Sequence, residues 1–122
     1  MTNFDYLNSE PQFHTFALVA ISAEKIAVID PSASIINCRR AMEFAIKWMY
    51  SVDKALVMPY QDNLVTLLHT EEFKDLMDDS LWRRLDFIRR MGNQVAHTGK
   101  PATLDQAKLC LKNLFLFMDF VS

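Results

Sequence analysis

Residues Ser80 to His97, SLWRRLDFIRRMGNQVAH, decide how this chain folds. Leu81, Leu85, Ile88 and Val95 recur at helical spacing, and Arg83, Arg84, Asp86 and Arg90 occupy polar positions between them. Asp79 or Ser80 can cap the start, and Thr98-Gly99-Lys100-Pro101 stops the helix after His97. Three polar residues of its second half share a face. Arg90 and His97 are separated by nearly two turns, about 10.5 Å along the axis, and Asn93 falls between them on the same side. Gly92 and Ala96 form a strip of small residues where another helix can approach closely. A glycine inside a helix costs roughly 1 kcal/mol against alanine, so Gly92 is expected to serve packing.

Around this helix the composition is that of one globular domain. The 122 residues are 51% hydrophobic and 23% charged, enough for a single core. A net charge of -2 excludes a surface dominated by non-specific nucleic-acid binding, while leaving room for a local basic patch. Two glycines and four prolines are too few for the tight turns of a multi-stranded fold. The expectation is all-α, a bundle of about five or six helices over residues 1–122. Cys38 and Cys110 fall on apolar helical faces without CxxC spacing, as buried free thiols of a reducing compartment do. No signal-peptide pattern opens the chain and no apolar run approaches 18 residues, so a cytoplasmic protein without membrane partners is expected.

In chain order, Met1 to Asn8 reads as an extended lead-in pinned by Phe4, Tyr6 and Leu7. Ser9 and Gln12 have the spacing of a capping box, with Pro11 at the first position of a helix that runs to about Val28. Asp30-Pro31 ends that helix and starts a second, to about Val52, whose stripe is Cys38, Ala41, Met42, Ala45, Trp48, Met49 and Val52. Arg39, Glu43 and Lys47 step by four along a neighbouring face, as a solvated charge ladder does. Lys54 to Tyr60 is a connector, followed by short helices starting at Asn63 and after Thr70. Thr103 and Gln106 form another capping box before the last helix. Its end, LFLFMDFV, is apolar almost all round, which predicts burial on more than one side, a homodimer interface, and a domain cut from a longer protein.

Chemistry-bearing motifs are few. The sequence has no GxxxxGK[ST] and no GxGxxG. His69-Thr70-Glu71-Glu72 lacks the HExxH spacing of a zinc hydrolase. Asp62, Glu72 and Lys74 lie in a helical region, whereas the metal-dependent restriction-nuclease centre is mounted on strands. Neither a metal nor another cofactor is expected. What remains is Arg90, Asn93 and His97, either a hydrogen-bonded seam between helices or a site. Arg40 or Glu43 of the second helix could face that row, where a carboxylate would orient the imidazole.

The row also carries a resemblance. Arg90 followed after six residues by His97, late in an all-helical domain, is similar to the R-x4-6-H signature of HEPN domains. IRRMGNQVAHTG resembles the R-x-x-G-N-x-x-A-H form of a HEPN-like branch of unknown function, found at the N-terminus of type I restriction enzyme R subunits and related helicases. INCRRAMEFAIKWMY resembles that branch's earlier R-x-L-E helix, with Arg40, Met42 and Glu43 in the matching places, and TNFDYL resembles its opening. Met91 departs from the polar residue that usually follows the motif arginine in catalytic members.

The resemblance implies a non-catalytic accessory domain for dimerisation, docking or nucleic-acid engagement. Its partners would be downstream nuclease and helicase domains and other restriction-modification subunits. The alternative is a metal-independent ribonuclease, in which His97 is general acid or base, Arg90 stabilises charge developing on the phosphate and Asn93 holds imidazole or phosphate. Such sites are composites of two protomers. A third reading is a stand-alone adaptor or antitoxin-like protein.

Overall fold

Helix starts leave backbone amides without partners, and short polar side chains fill them. The computed structural model describes residues 2–122, and all the regular structure it contains there is helical. Helix α1 (His14–Ile26) has no side-chain cap. The other five α-helices have one. Asp30 accepts from the amide of Ala33 at the head of α2 (Pro31–Val52), and Asn63 from Thr66 at α3 (Leu64–His69). Thr70 accepts from Phe73 at α4 (Glu71–Asp75), and Asp78 from Leu81 at α5 (Asp79–Thr98). Thr103 and Gln106 bond reciprocally at α6 (Leu104–Val121), the capping box the sequence predicts. The α5 cap is Asp78, the first of the Asp78-Asp79 pair that the sequence offers as N-caps ahead of Ser80. Gly99 closes α5 in the left-handed region at φ 69°, a conformation that favours glycine.

The N-terminal segment differs from expectation. It is not extended but a 3-10 helix over Asp5–Ser9, followed by a 3-10 turn over Pro11–Phe13. Ser9 is instead the last residue of the first 3-10 helix, its hydroxyl donating to the Tyr6 carbonyl at 2.9 Å, and α1 begins only at His14, too far along the chain for Ser9 to cap it. Phe4 and Leu7, one 3-10 turn apart, are both buried, while Tyr6 rests on the edge of the Phe115 ring.

Helix α2 is the hub, packed against α1, α5 and α6. Its buried side is Ile35, Cys38, Ala41, Met42, Ala45, Ile46 and Met49; Trp48 is only half-buried and Val52 is exposed. Alanines at 17, 20 and 23 of α1 let the helices approach closely, and the Ser34 hydroxyl donates to the Ala23 carbonyl at 2.7 Å. Tyr50 donates to the Leu67 carbonyl and the Trp82 indole to that of Leu68, fastening α3 to α2 and α5. Both cysteines are free and buried. Burial pushes the Cys38 thiol far above its usual range and that of Cys110 up to about 12, so neither is a nucleophile near neutral pH.

The end of α6 is buried on one side only. Leu114, Phe117 and Met118 are enclosed, whereas Leu109, Leu116 and Phe120 are 45%, 36% and 43% exposed. These three recur at seven and four residues, so they lie along one outer stripe. Among the described residues no helix is long and apolar enough to cross a membrane.

Candidate functional site

Helix α5 runs unbroken through Arg90, Asn93 and His97, so the predicted row lies on one face. Leu85, Ile88, Met91 and Gly92 turn inward. Met91, the apolar residue after the motif arginine, is therefore explained by the helix period: it belongs to the core.

One further residue anchors the row. Asp86 lies one turn before Arg90 and is only 6% exposed. Its Oδ2 accepts from Arg90 Nε at 2.8 Å. Its Oδ1 takes Arg89, from Nε at 3.0 Å and from Nη2 at 2.8 Å. Arg89 is largely covered. The Arg90 side chain is 74% exposed, held at Nε and otherwise free of hydrogen bonds among the described residues. Asp86 thus fixes the base of Arg90 while its guanidinium keeps donors for an outside acceptor. The signal was in the sequence, because Asp86 precedes the two arginines by three and four residues.

Asn93 is half-buried and His97 exposed, and neither has a hydrogen-bond partner among the described residues. The buried polar seam weighed above does not form through these two side chains. Neither predicted α2 partner bonds to the row. Arg40 is exposed, donating to Asn37 at 3.2 Å with its guanidinium 6.0 Å from the Phe44 ring centre. Glu43 takes Lys47 at 3.0 Å, which realises half of the expected charge ladder.

Arg39 leaves that ladder. Its stem lies across Gly92, close enough that a Cβ there would sit 2.6 Å from Arg39 Cδ. Gly92 therefore does serve a close approach between helices, though Ala96 is exposed and takes no part. Arg39 Nε is buried there without a hydrogen-bond partner. Among the described residues no three His, Cys, Asp or Glu side chains gather as a metal site would need.

Fold and row together define an all-α bundle domain that presents an arginine, an amide and an imidazole to solvent along one helix. The chain belongs to the family described as the domain of unknown function DUF4145, whose model matches residues 22–119. No curated protein and no solved structure matches it.

Proposed function

We propose that this chain is a HEPN-like, non-catalytic accessory domain of a type I restriction enzyme R subunit or related cytoplasmic helicase, and that its Arg90, Asn93 and His97 face engages a nucleic-acid backbone. The observation that carries the reading is the tethered Arg90. A buried carboxylate holds its Nε and leaves a largely exposed guanidinium, the arrangement that suits a phosphate. Cleavage and translocation then belong to other domains of the parent protein. Fluorescence anisotropy with single-stranded RNA and duplex DNA, at fixed salt, tests this. Arg90→Ala and His97→Ala each weaken binding, and together they weaken it about tenfold. Wild-type affinity in the double variant overturns the reading.

A ribonuclease remains the second reading because His97 is accessible on the same face as Arg90. RNA cleavage in EDTA that is lost in both single variants, with their circular dichroism unchanged, would establish it in place of the first.

The partner we assign to the α6 stripe is a second copy of the chain. Leu109, Leu116 and Phe120 put three large apolar side chains on one exposed line, which a twofold axis can bury against itself. Sedimentation equilibrium is expected to give a dimer for the wild type and a monomer for Leu116→Glu. A wild-type monomer at about 100 µM, far above the Kd of a specific dimer, removes this assignment.

A further inference from the structure

A second feature lies away from the Arg90 row. Asn3 and Phe4 just ahead of the N-terminal 3-10 helix, the end of α1 with Ala27 and Val28 after it, and α6 from Leu104 to Phe115 line an open cavity of about 400 Å³. That volume is in the range of small-molecule sites. Its lining is mainly apolar, with Phe4, Ala27, Leu104, Leu111 and Phe115 among the residues. Phe4 and Phe115 brace each other with ring centres 6.0 Å apart. The wall formed by Asn3 and Phe4 is latched to α1 by the Asn3 amide, which donates to Glu24 Oε1 at 2.9 Å. Those two residues precede the part of the chain that the family model matches.

Charge chooses the ligand. Lys108 and Lys112 border the cavity one helical turn apart, and neither forms an ion pair among the described residues. Like charges at this spacing repel each other on a helix, and an anion between them relieves the repulsion. Glu24 is the cavity's carboxylate, with one oxygen already engaged by the Asn3 amide. Two lysines against one glutamate leave the lining one positive charge in excess, matched by a single negative charge and opposed to a dianion.

We propose that this cavity binds a monoanionic amphiphile, an apolar chain or ring bearing one carboxylate. The apolar body rests on Phe4, Leu111 and Phe115, and the head lies between Lys108 and Lys112. The site is independent of the nucleic-acid face, and its test does not depend on that reading.

Isothermal titration of the whole chain with octanoate, 1-octanol and inorganic phosphate decides it. Octanoate is expected to bind saturably at one site. Octanol of the same length, and phosphate without the chain, are expected to bind at least about tenfold more weakly, as loss of a charged hydrogen bond or of apolar burial requires. The Lys108→Gln/Lys112→Gln variant is expected to lose octanoate affinity by about the same factor. Both lysines are exposed, so its circular dichroism should match wild type. Amide shifts in a nitrogen-15 correlation spectrum should centre on Asn3, Ala27, Val28 and residues 104–115. Failure of octanoate to bind at millimolar concentration, equal binding of octanol, unchanged affinity in the double variant or shifts centred elsewhere would each overturn the proposal.

Discussion

Asp86→Ala lowers the stability of the fold by about 2–3 kcal/mol in urea unfolding followed by circular dichroism. Asp86 is 6% exposed, and its carboxylate serves two arginines from adjacent positions of one helix. The partners do not contribute equally. Arg90 is largely in water, where an ion pair is worth at most about 1 kcal/mol. Arg89 is mostly covered, so loss of Asp86 strands its guanidinium with no counter-charge, and most of the destabilisation comes from there. Asp86→Asn keeps the shape and one acceptor oxygen, and loses roughly half as much. An Arg89→Leu background removes the stranded charge, so Asp86→Ala costs less in it. A loss below about 1 kcal/mol in wild type, or the same loss in both backgrounds, would show that the Asp86–Arg89 pair does not hold this part of α5.

The same cluster shows how far the sequence could be read. Caps at Thr70 and Thr103 were legible because each is a local event: a side chain reaching an amide three residues on. The alignment of Arg90, Asn93 and His97 was legible because it follows from the helical period alone. Ser9 failed as a cap because residues 5–9 and 11–13 wind as 3-10 turns and the α-helix starts only at His14, which leaves Ser9 out of reach of its first amides. Asp86 was visible as a polar residue but not as a buried one. Its burial depends on the arginines folding over it. Nor could periodicity choose among Arg39, Arg40 and Glu43. Which of them meets α5 depends on how α2 is rotated against its neighbours, and the structure turns Arg39 to α5, Arg40 to solvent and Glu43 to Lys47.

Gly92→Ala tests that rotation. In an unobstructed helix the change stabilises by roughly 1 kcal/mol, because alanine restricts the unfolded chain and favours the helix. Here the sign reverses. The new Cβ meets Arg39 Cδ at 2.6 Å and Arg39 Cβ at 3.1 Å. A stem can swing, but the adjoining Nε is already enclosed, and the Cβ moves only with the α2 backbone. The two helices must separate by a few tenths of an ångström or Arg39 must leave its slot. Overpacking of this kind costs about 1–3 kcal/mol, which leaves a net loss of about 1–2 kcal/mol after the helix gain. Arg39→Ala removes the Cγ and Cδ contacts together with the orphaned donor. The 3.1 Å contact with the Cβ of residue 39 remains in that background, so Gly92→Ala is expected to be close to neutral there, with a coupling energy of at least about 1 kcal/mol between the two sites. Urea midpoints of the four proteins measure it. Additive effects would mean that Gly92 is not held by Arg39, and that the close approach of α2 and α5 does not require a glycine.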